Sequence, residues 1–314
     1  MDKIAFLFPG QGAQYVGMAQ DLYESHAGVK ELYSAAERVL GFDLAKICFE
    51  GPAEVLVQTQ HTQPAIFTHS VTLWTLLRDH GLKPAFVAGH SVGEYSALVA
   101  AGALSFEDAL QTVKNRSLLM QQACDSSQGS MAAIIGLTEK DILSICREAA
   151  SYGVIQLANF NSKDQIAISG ERRAVEKGVE LAEERGARRA ILLEVAGAFH
   201  SELMRPAQEK FGQVIGKLEV KQPEIPMVAN VTAEPVTDPS HIKELLTDQI
   251  TMPVLWYQSM VRMYKEGIRT FVEVGPGRVL QGLLKRSFKD TRGVGVERLP
   301  DLEKLVEAAK VGTI

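Results

Sequence analysis

The sequence predicts an α/β protein: a large domain built on a parallel sheet, with a small ferredoxin-like βαββαβ unit inserted into it. Three observations carry that prediction. Short apolar runs at residues 4–8 and 85–88 end in glycine-rich turns and open into helical patterns, the repeating unit of an α/β fold. The middle of the chain runs strand, helix, strand, strand, helix, strand. The 314 residues are 46% hydrophobic and 23% charged, which fits a globular chain long enough to bury a large core without staples.

In chain order, residues 4–8 form a continuous apolar run closed by Pro9-Gly10, the pattern of a strand buried on both faces. Residues 10–14 follow as a loop, and helical periodicity covers residues 15–40 and 64–80. A second buried strand is expected at 85–88, then helices from Ser91 and from Phe106 to about residue 123. Residues 131–136 read as a strand, and Thr138 as the N-cap of a helix reaching about residue 150. Two strands, 154–158 and 165–169, flank a polar turn at 159–164. A charged amphipathic helix over 171–185 and a strand over 190–195 complete the small unit. The run 126–130 before it and Ala196-Gly197 after it read as hinges. The expected boundaries are therefore 1–125 and 198–314 for the large domain and 126–197 for the subdomain.

Composition removes several functions. Lys plus Arg is 33 and Asp plus Glu is 38, so the basic excess of a sequence-independent nucleic-acid binder is missing. Cys48, Cys124 and Cys146 have neither metal-ligand spacing nor an even count, and read as buried, reduced thiols. No metal site is expected. Met1-Asp2-Lys3 leads straight into the first apolar run, so no secretory leader is expected. The longest apolar stretch, 97–104, is too short to span a bilayer. A cytoplasmic chain off the membrane is the expectation. No exposed apolar helix face stands out, so a monomer is the simpler expectation.

The chemistry begins at Gly89-His90-Ser91-Val92-Gly93, a Gly-x-Ser-x-Gly placed between a strand and a helix. Glycines on both sides permit a tight turn that pushes the serine outward, and the new helix directs free N–H groups at the reacting atom. The alternative is a small-residue turn that packs a helix on a sheet. A serine needs a base. Of the seven histidines, His26, His80 and His241 lie among polar residues, His61 and His69 suit packing, and His90 points elsewhere from its neighbour. His200, in a loop after the strand at 190–195, is the best base by elimination. No carboxylate between Ser91 and His200 falls at a strand end of the large domain, unlike an ordinary α/β-hydrolase, so a backbone or amide carbonyl is expected to orient the imidazole.

Arg116 lies on the apolar stripe of Ala109, Val113 and Met120. A guanidinium on a core face needs an anionic partner: either a structural ion pair or a substrate carboxylate held bidentately. Position alone leaves these level. The loop Pro9-Gly10-Gln11-Gly12 lacks both phosphate-binding patterns and suits an oxyanion hole instead, where one donor is worth about 3 kcal/mol of barrier.

Taken together, residues 8–14, 89–95, Arg116, Gly197-Ala198-Phe199-His200-Ser201 and Val274-Gly275-Pro276-Gly277 resemble the malonyl-CoA:acyl-carrier-protein transacylases and the acyltransferase domains of polyketide and large fatty-acid synthases. The likeness runs end to end, in order. It implies an α/β-hydrolase-like large domain, Ser91 as nucleophile and His200 as its base, with the N–H groups of Gln11 and Val92 as oxyanion hole. It also implies that Arg116 grips the malonyl carboxylate and that the Gln249 main-chain carbonyl orients His200. Phe199 resembles the form of the motif that selects malonyl by leaving no room for an α-branch. Asn159-Phe160-Asn161-Ser162 departs from the family, whose members often carry proline at the last position. No bound cofactor is implied; the coenzyme A thioester is substrate and acyl carrier protein the partner. Lys285 and Arg286, with Lys289, are the first candidates for carrier docking and Arg188-Arg189 the second; a solvated helix face is the plain alternative. The rival readings are a serine hydrolase of thioesterase or patatin type, though no Asp-Gly pair exists for the latter, and a non-catalytic carrier-binding module.

Overall fold

The computed structural model describes residues 3–314; Met1 and Asp2, on which the reading of the N-terminus rests, lie outside the described residues. Ten strands occur among them: β1 (Ile4–Phe8), β2 (Phe86–Gly89), β3 (Gly129–Ile135), β4 (Ile155–Ser162), β5 (Gln165–Glu171), β6 (Arg189–Leu192), β7 (Met227–Val228), β8 (Pro235–Val236), β9 (Thr270–Val274) and β10 (Arg292–Val296). They make a six-stranded sheet in the order β10-β9-β1-β2-β7-β8 and a four-stranded sheet in the order β4-β5-β3-β6. In the larger sheet every pairing is parallel except that of β7 with β8. The α/β class with a parallel sheet and a small antiparallel unit is thus as expected.

The continuous apolar runs have a simple cause. Side chains alternate across a strand, and both faces of this sheet are covered. Phe6 and Phe8 of β1 enter one core, with Trp74 and Val113; Ala5 and Leu7 enter the other, with Trp256, Met260 and Phe271. Since Ala5 to Phe8 are buried and Ile4 is half-buried, no position on β1 needs to be polar. Both β1 and β2 end at the same level, Phe8 opposite Gly89, so the loops that follow them emerge side by side.

In the smaller sheet all pairings are antiparallel, and the helices Glu139–Ala149 and Arg172–Glu184 pack on one face. Thr138 caps the first as predicted: its hydroxyl accepts from the Asp141 N–H while the Asp141 carboxylate accepts from the Thr138 N–H.

Several boundaries differ from expectation for definite reasons. The helix expected over 64–80 is Thr59–Asp79, and Pro64 lies inside it. The missing N–H removes one bond, and burial of Ala65, Ile66, Phe67 and Val71 outweighs it. The helix expected from Ser91 starts at Gly93, because Ser91 takes a left-handed backbone with φ 52°. The polar turn expected at 159–164 is mostly strand: β4 runs on to Ser162 with irregular register at Leu157/Asn159 and Phe160/Ser162. The main chain at Asn159 bridges to Val254 and the residue is buried, so this stretch is an inter-element contact and not a solvent turn. Past His200, strands β7 to β10 add four members to the large sheet that the sequence patterns above do not single out. Among the described residues no helix is long and apolar enough to cross a membrane. The three cysteines are unpaired and buried.

Candidate active site

Strand β2 delivers Gly89 to the carboxyl edge of the parallel sheet, and the chain reverses within His90-Ser91-Val92 into the helix Gly93–Ala100. Two close approaches dictate the glycines of this region. A Cβ on Gly93 would stand 2.3 Å from the Phe8 carbonyl oxygen, and one on Gly10 would stand 2.5 Å from that of His90. The loop after β1 is therefore pressed against the turn after β2, which is what brings Gln11 beside Ser91.

Ser91 Oγ lies 2.9 Å from His200 Nε2, and His200 Nδ1 lies 2.7 Å from the Gln249 carbonyl oxygen. A carbonyl only accepts, so Nδ1 carries the hydrogen and the Nε2 lone pair faces the serine hydroxyl. Both residues hold left-handed backbones, φ 52° at Ser91 and 56° at His200. Such conformations persist where surrounding bonds enforce them. Here the Ser91 N–H donates to Asn230 Oδ1 at 2.8 Å, while the Ser91 carbonyl accepts from Gln249 Nε2 at 3.0 Å. The loop of His200 is held by Gln156, whose amide donates to its carbonyl at 3.3 Å.

Arg116 is completely buried. It donates to Gln63 Oε1 at 2.7 Å, Gln249 Oε1 at 2.8 Å and Ser91 Oγ at 3.0 Å, all neutral acceptors; its Nε has no partner. The structural ion-pair reading requires a carboxylate in contact, and among the described residues Arg116 forms no salt bridge. One acid is close by: Glu94, also buried, accepts the Asn230 main-chain N–H at 2.6 Å and a bond from the Gln249 amide. Burial raises its carboxyl to about 8, against the pull of those two donors and of the Arg116 charge. Each oxygen accepts one N–H, an arrangement that favours the carboxylate and works against the effect of burial.

A cleft of about 220 Å³ opens over these groups, lined among others by Gly10, Gln11, Ser91, Val92, Phe199 and His200. The Gln11 and Val92 N–H groups make no main-chain or side-chain hydrogen bond among the described residues, which leaves both available as donors beside Ser91. Phe199 is buried against the same space. Of the sequence candidates, Ser91, His200, Gln11, Val92, Phe199 and the Gln249 carbonyl thus converge, with Arg116 reaching Ser91 from beneath. Lys285 and Arg286 do not: they are exposed at the far end of the helix Val279–Ser287, whose first residues line the cleft. Arg188 is engaged in an ion pair with Asp164.

Four polar residues at the site were not picked out by sequence: Gln63, Glu94, Asn161 and Asn230. Asn161 Oδ1 lies 3.0 Å from His90 Nε2 and ties the smaller sheet to the serine turn. The available signals were a buried glutamate as the one charged residue of the helix Gly93–Ala100 and an asparagine two residues after a buried strand. Among the described residues no group of three or more His, Cys, Asp or Glu is placed to hold a metal ion.

Burial, reinforced by the Arg116 charge, pushes the His200 imidazole down to about 3. It is neutral in the folded protein, while the unfolded chain takes up a proton near pH 6.5. The stability this costs is therefore felt as pH falls from about 6.5 towards 3. The His200 ring signals in NMR, assigned by their loss in His200→Gln, are expected to stay at the neutral position down to pH 5. A titration midpoint near 6.5 would contradict the geometry.

Residues 5–310 match the acyl transferase domain family. The chain is 43% identical to the malonyl CoA-acyl carrier protein transacylase of Bacillus subtilis strain 168, over 99% of this chain and 98% of that protein. Its fold superposes on an acyl carrier protein S-malonyltransferase from Vibrio cholerae with a TM-score of 0.93 at 43% identity, covering 97% and 100% of the two chains. A malonyl-transacylase solved in complex with a type II PKS acyl-carrier protein gives 0.95 at 37% identity, covering 98% and 99%.

Proposed function

The chain belongs to the malonyl CoA-acyl carrier protein transacylases of the acyl transferase family, and on that footing we propose that it moves malonyl from malonyl-CoA to the phosphopantetheine thiol of acyl carrier protein, through a malonyl-Ser91 intermediate, for fatty-acid synthesis. The observation that carries this reading is Arg116: a buried cation, bonded only to neutral acceptors and 3.0 Å from the serine oxygen, matches an acyl group that bears its own carboxylate.

In the first half-reaction Ser91 Oγ attacks the thioester carbonyl while its proton passes to His200 Nε2. The N–H groups of Gln11 and Val92 bind the oxyanion, and the Val92 donor also has the start of the helix Gly93–Ala100 behind it. Collapse breaks the carbon–sulfur bond, and coenzyme A leaves with the proton from His200. In the second half-reaction the carrier thiol gives its proton to His200 and attacks the malonyl ester; Ser91 leaves and recovers the proton. The Gln249 carbonyl stabilises the imidazolium formed twice per cycle and holds the ring in one tautomer. Phe199 limits the volume beside the acyl α-carbon, which suits unbranched malonyl. The inserted subdomain, taken as 126–197, closes one side of the cleft.

The carrier is met along the helix Val279–Ser287. Its start, at Val279 and Leu280, lies at the cleft and its end presents Lys285 and Arg286, with Lys289 beyond, to an acidic partner. Coenzyme A is handled as substrate and no resident cofactor is invoked.

Brief exposure to malonyl-CoA is expected to add one malonyl group to the intact protein, absent in Ser91→Ala and discharged by carrier protein. Release of free malonate without an adduct would favour a hydrolase, and no reaction would overturn the proposal. Lys285→Glu with Arg286→Glu should raise the KM for carrier protein about tenfold at unchanged adduct-formation rate. An unchanged KM would remove this helix from docking.

A further inference from the structure

One buried group near the serine is used by none of the steps above. Glu94 is on the first turn of the helix Gly93–Ala100, three residues beyond Ser91, with its side chain turned into the protein. Its Oε1 accepts the main-chain N–H of Asn230 at 2.6 Å, and its Oε2 accepts from Gln249 Nε2. Each of those two residues holds one side of the serine turn. Asn230 accepts the Ser91 N–H through Oδ1 and donates through Nδ2 to the Gly89 carbonyl at 2.7 Å. Gln249 donates to the Ser91 carbonyl and supplies, from its main chain, the acceptor for His200.

The directions of these bonds depend on one another. Arg116 has only donors, so it requires the oxygen of the Gln249 amide, found at 2.8 Å. The amide nitrogen is thereby turned towards the Ser91 carbonyl and Glu94, and both must accept. A carboxyl group can accept at both oxygens; an amide, whose nitrogen only donates, cannot. Arg116 and Glu94 thus grip the two ends of one amide, and the polarity of that amide sets the backbone of the nucleophile.

We propose that Glu94 is a positioning residue: by accepting from Gln249 and from the Asn230 main chain it holds Ser91 in its left-handed backbone, aimed at His200. It touches neither substrate nor reacting atoms. This inference rests on the transacylase reading, because its readout is acylation of Ser91.

The test compares Glu94→Gln with Glu94→Asp. Glutamine fills nearly the same volume but sets a donor against Asn230 or Gln249; aspartate shortens the side chain yet keeps two acceptors. Rates of Ser91 acylation are measured by rapid quench and intact mass with malonyl-CoA and separately with acetyl-CoA, alongside KM and thermal melts. Glu94→Gln is expected to slow acylation by both thioesters by the same factor, about 10–100-fold, with KM within about twofold of wild type. Glu94→Asp should retain more activity than Glu94→Gln, although it disturbs packing more. Wild-type rates in Glu94→Gln, or Asp slower than Gln, would overturn the proposal. So would a loss confined to malonyl, which would place the effect on Arg116 and not on Ser91. If Glu94→Gln does not fold, Glu94→Asp carries the test: an equal slowing with both thioesters at unchanged KM supports the inference and an unequal one refutes it. Failure of the wild type to form any adduct would instead refute the transacylase reading itself.

Discussion

Arg116 brings a full positive charge into a part of the protein that water does not reach, and the surrounding chemistry follows from that. An isolated buried cation is costly unless something shares its charge. Here Gln63 and Gln249 turn their amide oxygens to it, Ser91 offers its hydroxyl oxygen, and Glu94 faces it across the Gln249 amide. The cost is met by dipoles and by an acid one residue removed. That leaves the guanidinium without a direct carboxylate partner, and on the proposed reading a malonyl group would gain from a charge the protein has already buried where an acetyl group would not.

The same charge sets the proton chemistry. Together with burial it keeps the His200 imidazole neutral, which is the form a base needs before it meets the serine proton. The Gln249 carbonyl then does what a carboxylate does in other serine enzymes, fixing the tautomer without adding a second buried anion. A carboxylate at that place would pair with Arg116 and compete with the substrate. The use of a neutral acceptor is thus consistent with a site that selects an acidic acyl group.

How much of this could be read beforehand depended on whether the signal was local. The runs 4–8 and 85–88 declared buried parallel strands because both faces of the sheet are covered, and Thr138 declared its helix as an N-cap residue. Ser91 was legible because glycines must flank so tight a turn, and Arg116 because a cation on the stripe of Val113 and Met120 is anomalous. Asn161 and Asn230 were not, since their polarity is explained by partners 71 and 139 residues away. The polar stretch at 159–164 read as a solvent turn for the same reason: its asparagines face a cleft made by another part of the chain. Pro64 concealed the start of its helix because local propensity predicts a break, while packing of the apolar residues around it does not permit one.

If the buried guanidinium is what selects the acyl group, competition between substrates will show it. Wild-type protein and Arg116→Ala are mixed briefly with equal concentrations of malonyl-CoA and acetyl-CoA, and the two Ser91 adducts are counted by intact mass. The account predicts that malonyl dominates in the wild type and that the ratio falls by about 30–1000-fold in Arg116→Ala, from loss of about 2–4 kcal/mol specific to the carboxylate. Equal slowing of both adducts, with the ratio preserved, would make Arg116 a structural residue and contradict the account.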